Sequence, residues 1–189
     1  PRGGVYFSLV LDGDKISSPS LVTISAAWAI SDVMERLTGI ETSIKWVNDV
    51  YIRNKKAVGI LTEGIVNMEE GGISQVVIGC GINLKTRIED YSPSLRDIVT
   101  SFYPSGETKI KRVDVVSGCA SAILKAQSMD FLDEYRKKCF VIGKDIYVIR
   151  MNEKKSAKAL KVNDEGNLVV KYSDGSIEAL SCGEVSIRF

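Results

Sequence analysis

The 189-residue sequence predicts an α+β fold, in which a mixed β-sheet with packed helices is followed by a small SH3-like β-barrel. Strand-like and helix-like segments alternate unevenly up to about residue 138, which favours helices packed on a mixed sheet over a regular βαβ winding. After Phe140 the pattern changes to short alternating segments separated by turn sequences, as in small barrels. We therefore place two domains at residues 1–138 and 139–189.

Hydrophobic patterns define the first elements of the larger domain. A β-branched and aromatic run predicts a buried strand over residues 3–11. Apolar residues spaced by three and four predict a helix from Ser20 to Leu37, which Gly39 ends. Residues 43–65 predict two or three strands, with a hairpin turn at Asn54-Lys55.

The second half of this domain contains a strand, a polar segment and a helix. Residues 74–84 predict a buried strand that ends in a glycine-rich turn. The polar segment 85–108 contains two prolines and a short helix around residues 95–99. A long helix is expected over 113–138. Its buried stripe would consist of Val116, Ala120, Ile123, Leu124, Gln127, Phe131 and Tyr135.

The composition excludes several classes of function. With 25 Lys and Arg against 24 Asp and Glu, the net charge of +1 creates no field that gathers nucleic acid or acidic lipid, so any bound anion must be held by local groups. The absence of histidine removes the usual general base. Four cysteines without a C-x-x-C pair predict buried reduced thiols and no metal site. No membrane span or signal peptide is visible, so we expect a cytoplasmic protein.

The stretch KWVNDVYIRNKKAVGIL, residues 45–61, crowds basic residues into a strand-like pattern. For Arg53 and Lys55 a solvated hairpin tip is sufficient explanation. Lys45 and Lys56 are flanked by apolar residues, which indicates partial burial, and a partly buried ammonium group requires an anion. Asp49 is one candidate partner. Two lysines for one aspartate leave room for a bound anionic ligand.

A second motif, VVIGCGIN, places Gly79 and Gly81 at the end of a strand, where the absence of Cβ atoms lets a ligand approach the backbone. The Asn83 amide can both donate to and accept from an adenine edge. On its own such a glycine pair is more often a simple turn. It is not a dinucleotide fingerprint, and Gly143-Lys144 lacks the Ser or Thr of a Walker A sequence.

Together these motifs are specific. The combination of KW-x-ND-x-Y, K-x-x-G-I-L-x-E and V-x-I-G-x-G-I-N resembles the catalytic core of biotin protein ligases, the biotin–[acetyl-CoA-carboxylase] ligases. GGVYFSL at the start and GEVSIR at the end extend the resemblance over essentially the whole chain. It implies a catalytic domain related to class II synthetases, followed by an SH3-like domain.

The resemblance implies a two-step reaction that uses ATP, Mg²⁺ and biotin. Biotin is activated as biotinyl-5′-AMP and then transferred to a lysine of a biotin carboxyl carrier protein. The implied catalytic residues are Lys56 and Asp49. The implied biotin-binding residues are Lys56, Gly59, Leu61, Tyr6, Ser8 and Gly79. The implied ATP-binding residues are Lys45, Asn48, Gly81, Asn83 and Arg188. No residue is assigned to a metal.

The sequence departs from the family pattern in one respect. The glycine- and arginine-rich GRGR-x-GR-like loop, which covers the adenylate, is expected upstream of Pro1, and we expect a protein that begins at Pro1 to hold biotinyl-AMP poorly. Calorimetric titration measures this retention. A lipoyl ligase and a non-catalytic binder or regulator stay open as alternatives. The strand 60–66 is a candidate edge for a homodimer.

Overall fold

The computed structural model describes residues 3–16, 18–66, 72–150, 153–181 and 183–187. The strands of the first sheet are β1 (Val5–Asp12), β2 (Ser43–Lys45), β3 (Asp49–Ile52), β4 (Lys55–Val66) and β5 (Ile73–Ile82). The α-helices are α1 (Val22–Thr38), α2 (Arg112–Ala126) and α3 (Leu132–Lys138). The strand order is β1-β5-β4-β3-β2.

The α+β class is confirmed, but the expectation of a mixed sheet was wrong. Every strand pair within the described ranges is antiparallel. Parallel pairing is limited to two isolated bridges, Ile44 with Cys139 and Lys56 with Val99. The short connections from β2 to β3 and from β3 to β4 explain this result, because parallel neighbours need a long crossover.

The hairpin between β3 and β4 turns one residue earlier than expected. Arg53 and Asn54 form the turn, with φ angles of 48° and 61°, as two-residue hairpins with primed turns require. Lys55 already belongs to the next strand. As a consequence Lys56 pairs with Tyr51.

Gly79 and Gly81 lie inside β5 and not in a turn, which corrects the second expectation for this region. β5 continues to Ile82 and pairs on both sides, with β1 and with β4. Neither glycine has a positive φ, so both take the extended conformation that any residue can adopt. The reason for two glycines here is therefore not backbone conformation.

The first predicted helix is confirmed, and its last turn ends on Gly39 in the left-handed region at φ 68°. The long helix expected over 113–138 is two helices, α2 and α3. At the break, the Gln127 side chain donates to Ile123 O and Ser25 Oγ at 3.0 Å each, and Phe131 stacks on Trp28 with ring centroids 5.8 Å apart.

The expected buried stripe is confirmed at Ile123, Phe131 and Tyr135. In the rest of α2 the buried residues are Val115, Cys119 and Ala126, each one position before the expected Val116, Ala120 and Gln127. Leu124, expected inside, is 52% exposed. Both sets of residues recur at spacings of three and four, so the sequence pattern alone does not separate them.

The remaining strands form a second sheet, as expected for the C-terminal part. They are β6 (Asp145–Arg150), β7 (Glu153–Val162), β8 (Leu168–Tyr172), β9 (Ile177–Leu180) and β10 (Glu184–Ile187), in the order β10-β6-β7-β8-β9. One continuous hydrophobic core joins this sheet to the first one. The β7–β8 turn is attached to the first sheet by the Trp46 indole, which donates to Gly166 O at 2.9 Å.

Three of the cysteines are buried and free. Burial raises the pKa of the Cys80 and Cys119 thiols to about 12, and that of Cys139 to about 11. These thiols are therefore not reactive thiolates at neutral pH. Cys182 lies outside the described residues. In the described part of the chain no helix is long and apolar enough to cross a bilayer.

A polar network fastens α3 to α1. Lys138 Nζ donates to Glu35 Oε1 at 2.6 Å, and the Thr42 amide and hydroxyl donate to the same oxygen at 2.7 and 2.9 Å. Burial by itself raises the pKa of Glu35, but the hydrogen bonds from Lys138 and Thr42 outweigh burial and leave the pKa below the usual 4.5.

We expect Glu35→Gln to lower the free energy of unfolding by about 1 kcal/mol at pH 7, because the ion pair and charge-assisted bonds are lost. A carboxylate with a depressed folded-state pKa stabilises fully above the unfolded-state value, and this stabilisation disappears as the pH falls through the folded-state pKa. The difference between variant and wild type should thus shrink below pH 4.5. Urea unfolding of the variant and the wild type, at pH 7 and at a pH below 4.5, measures this difference in free energy. Glu134→Gln, in an exposed pair with Lys137, is the control with almost no expected effect.

Candidate active site

The helices cover one face of the first sheet, and its other face carries a cavity of about 630 Å³. This volume is in the usual range for small-molecule sites. The cavity lies over the neighbouring strands β1, β5 and β4, of which β1 is an edge strand. Its lining residues are Tyr6, Phe7, Ser8, Asn48, Lys56, Gly59, Ile60, Leu61, Gly79, Cys80 and Gly81.

Three glycines, Gly59, Gly79 and Gly81, form the base of this cavity; we call them the glycine floor. Gly59 pairs with Gly81 across the two strands, and Gly79 pairs with Leu61. A Cβ atom at Gly79 would have no atom nearer than 3.7 Å, and one at Gly81 none nearer than 3.4 Å. Packing within the chain therefore does not require glycine at 79 or 81. The absence of Cβ atoms at these positions leaves room for a flat group to approach the backbone.

One row of cross-strand neighbours crosses the open face of the whole sheet. It runs from Lys45 to Asp49, then to Gly59, Gly81 and Tyr6, one residue from each strand. With a strand spacing of about 4.8 Å, Lys45 lies about 10 Å from Gly59 along the row. The row thus begins with a cation and a carboxylate and ends at an aromatic ring that is 58% exposed.

The charged group at the cavity is the ammonium of Lys56. Its Nζ lies 2.5 Å from Oδ1 of Asp49, and the side chains are 35% and 15% exposed. The bulge of the β3–β4 pairing near Val50 and Tyr51 places Lys56 on the open face, beside Gly59. A half-buried cation fixed in this way can neutralise a ligand anion without first being desolvated.

Asn48 joins the strands where the β3–β4 pairing ends. Its side-chain Nδ2 donates to Ile60 O at 2.6 Å, and its main-chain carbonyl accepts from Ile60 N at 3.1 Å. These two bonds extend the sheet by one residue. They also hold Asn48 at the rim of the cavity, directly before Asp49.

Most of the residues expected in the site lie together. Eight of them line the cavity: Tyr6, Ser8, Asn48, Lys56, Gly59, Leu61, Gly79 and Gly81. Asp49 lies behind Lys56 as its ion-pair partner. Lys45 and Asn83 do not line the cavity. Lys45 is on the far strand β2. Asn83 follows the end of β5, where its main-chain N–H donates to Ala57 O. Arg188 lies outside the described residues.

Three lining residues were not expected: Phe7, Ile60 and Cys80. The side chains of Ile60 and Cys80 are 3% and 4% exposed, so these residues offer main-chain atoms to the cavity. The alternation of a strand assigns such residues to the core face, and no side-chain pattern identifies the main chain that a neighbouring glycine uncovers.

Two family models match the chain. Residues 1–83 match the model of the Biotin/lipoate A/B protein ligase family, and residues 141–188 match that of the Biotin protein ligase C terminal domain. The Bifunctional ligase/repressor BirA of Bacillus subtilis (strain 168) is 33% identical over 181 residues, which cover 91% of this chain and 55% of that protein. The same-named protein of Bacillus spizizenii is 32% identical with equal coverage. The chain spans about half the length of these curated relatives.

Solved structures with the same fold include a biotin protein ligase from Aquifex aeolicus in complex with biotin and ATP, with a TM-score of 0.81 and 23% identity. The match covers 98% of this chain and 78% of that one. A biotin protein ligase from Leishmania major in complex with biotinyl-5-AMP matches with a TM-score of 0.59 and 16% identity. Because residues 1–83 and 141–188 match the two family models, the chain belongs to the biotin/lipoate protein ligase family and carries the C-terminal domain of the biotin protein ligases.

Proposed function

We propose that this protein is an ATP-dependent ligase that activates biotin as biotinyl-5′-AMP and transfers the biotinyl group to a lysine of a biotin carboxyl carrier protein. The observation that carries the proposal is the Lys56 ammonium, paired with Asp49 beside the glycine floor in a cavity of about 630 Å³. The family assignment supports ligation of biotin in general. We keep 1–138 as the catalytic domain, 139–189 as the SH3-like domain and the cytoplasm as the expected compartment.

In the proposed first step, a carboxylate oxygen of biotin attacks the α-phosphorus of ATP. The bond from this phosphorus to the bridging oxygen breaks, and pyrophosphate leaves. Two anions must approach each other, so the barrier is largely electrostatic. Lys56 lies beside the glycine floor and can donate to both the carboxylate and the phosphate. Its charge thus compensates the repulsion where the new bond forms.

The glycine floor would let the fused ureido and tetrahydrothiophene rings of biotin lie close to the strands. Ser8 pairs with Gly79 across β1 and β5, so its hydroxyl can bond the ureido group, while Tyr6 and Leu61 border the ligand. We assign Lys45, Asn48, Gly81, Asn83 and Arg188 to ATP. Lys45 at the end of β2 and Asn83 directly after β5 lie outside the cavity lining, and we assign Lys45 to the phosphates and Asn83 to the purine.

Magnesium enters this proposal with the nucleotide. The described residues contain no group of three Asp, Glu or Cys side chains that could hold a metal ion. We therefore treat Mg²⁺ as a part of the Mg–ATP substrate, where it neutralises the triphosphate charge.

In the proposed second step, the amine of the carrier lysine attacks the acyl carbon of biotinyl-AMP, an amide bond forms and AMP leaves. The amine must lose a proton. Asp49 is the carboxylate closest to Lys56, with an N–O distance of 2.5 Å, and we assign to it the orientation or deprotonation of the incoming lysine.

The direct test is biotin-dependent exchange of labelled pyrophosphate into ATP. We expect exchange with biotin and a much weaker signal with lipoate. Exchange that is faster with lipoate would favour a lipoyl ligase, and tight biotin binding without any exchange would favour a non-catalytic binder. Transfer to a purified biotin carboxyl carrier domain, followed by blotting with streptavidin, tests the second step.

A homodimer is a further part of this proposal. Pairing between β3 and β4 ends at Gly59, and Asn48 bonds the next residue, Ile60. Among the described residues, the part of β4 from Leu61 to Val66 pairs only with β5. Leu61, Ile65 and Val66 on this free edge are 60%, 47% and 57% exposed. An unpaired apolar edge is a site for pairing with a second copy. Sedimentation velocity at two protein concentrations tests it.

A further inference from the structure

We propose that Gly59 is a positioning residue for Lys56, a role that rests on the function proposed above. The lack of a side chain at position 59 lets the lysine lie flat across the sheet, with its ammonium group against Asp49. Gly59 would thus act through the lysine, whereas Gly79 and Gly81 leave room for the ligand. The three members of the glycine floor would then have two different functions.

The geometry separates Gly59 from the other two glycines. A Cβ atom at position 59 would lie 3.1 Å from Cε and 3.3 Å from Nζ of Lys56, and 3.8 Å from Oδ1 of Asp49. A methyl group there would be directly under the ion pair. By contrast, a Cβ atom at Gly79 has only Leu61 O within 4 Å, at 3.7 Å.

These distances mean that a methyl group displaces the lysine rather than the backbone. The nearest atoms belong to the flexible end of one side chain, and Gly59 does not have a positive φ. Gly59→Ala should therefore fold normally, while the ammonium moves away from the sheet by a few tenths of an ångström. Displacements of about 1 Å at reacting groups cost up to about a hundredfold in rate, so a smaller displacement should cost about tenfold.

The experiment compares Gly59→Ala with Gly79→Ala in biotin-dependent pyrophosphate exchange by the full chain. We expect Gly59→Ala to lower kcat about tenfold, with the KM for biotin changed less than threefold. Gly79→Ala should do the opposite, raising the KM for biotin with kcat changed less than threefold. An increase in KM alone for Gly59→Ala would overturn the proposal.

A double-mutant cycle provides the readout that a merely structural role would not change. In a Lys56→Ala background, measured by single-turnover formation of the adenylate, adding Gly59→Ala should lower the rate by less than twofold. An equal tenfold loss in both backgrounds would show that position 59 acts on the ligand directly, and would refute the positioning role.

Two controls keep the outcomes separate. Absence of biotin-dependent exchange in the wild type would remove the proposed function itself, whatever the variants do. Normal wild-type exchange with an unchanged kcat in Gly59→Ala would remove only the inference about Gly59. Thermal unfolding is recorded for each variant, and a large loss of stability in Gly59→Ala would also contradict the proposal, since the lysine would then not have moved aside.

Discussion

Replacing Lys56 with alanine is expected to lower the rate of biotin-dependent pyrophosphate exchange by about 10²- to 10³-fold, the usual effect of removing one preorganised group that stabilises developing charge. The reason is that Lys56 is the lysine that lines the cavity, and its Nζ lies beside the glycine floor. Without it, the carboxylate of biotin and the α-phosphate of ATP would approach with their repulsion less compensated.

The adjacent lysine is the matched control. Lys55 is on the same strand and carries the same charge, but it does not line the cavity, and its Nζ donates to Arg96 O at 2.8 Å outside the site. Lys55→Ala should exchange pyrophosphate within about twofold of the wild type, because Lys55 does not reach the cavity and its pair with Asp97, at 3.9 Å, is exposed and contributes little. Circular dichroism of both variants confirms that the fold is retained.

The result for Lys56 is informative in either direction. An unchanged exchange rate in Lys56→Ala would remove this residue from the mechanism. Equal losses in Lys55→Ala and Lys56→Ala would show that only the overall positive charge of the hairpin matters. Only a selective loss at position 56 supports a cation placed at the reacting groups.

Two signals in the sequence indicate this lysine. It stands directly before the apolar run AVGIL, which indicates partial burial of its charge, and it opens the motif K-x-x-G-I-L-x-E. Its partner could be predicted only in part. Asp49 was one candidate, and the 2.5 Å contact depends on a bulge in the β3–β4 pairing, which shifts the register by one residue. No composition or spacing rule places that bulge.

The errors of sequence analysis have a common physical origin in tertiary contacts. The pattern from 113 to 138 is helical throughout, yet the helix is interrupted between α2 and α3, where Phe131 stacks on Trp28 of α1. Likewise, glycines at 79 and 81 resemble a turn locally, and only the pairing of β5 on both sides shows that they are strand residues. In both cases a distant element decides the local structure.

The sequence also did not predict how the second sheet is attached to the first. Trp46 lies next to Lys45 in the KW-x-ND-x-Y motif. Its side chain is buried, and the indole donates to Gly166 O, 120 positions further along the chain. The residue therefore connects the strand that carries the site motif to the C-terminal sheet, an arrangement that no local pattern encodes.

Replacing Gly166 with alanine is accordingly expected to destabilise the protein by about 3 kcal/mol, the sum of a left-handed backbone and an overpacked contact. Its φ is 81°, and an added Cβ atom would lie 2.8 Å from Cδ1 of Ile24 and 3.0 Å from Cδ2 of Leu21. Ile24 lies in the first turn of α1, and Leu21 directly precedes the helix. The methyl group would thus push the β7–β8 turn away from the first sheet.

Gly175→Ala separates the two contributions to this loss. Gly175 has a similar φ of 89° in the β8–β9 turn, but an added Cβ atom would meet nothing within 4 Å. We expect a loss of about 1 kcal/mol there, which reflects the backbone alone. Guanidinium chloride unfolding, followed by tryptophan fluorescence, measures both values. Equal losses would mean that the two sheets do not depend on this contact, whereas a surplus of about 2 kcal/mol at Gly166 would show that the β7–β8 turn is held rigidly against α1. Since Trp46 donates to Gly166 O, that surplus would also indicate that the position of β2, which ends directly before Trp46, depends on the C-terminal sheet.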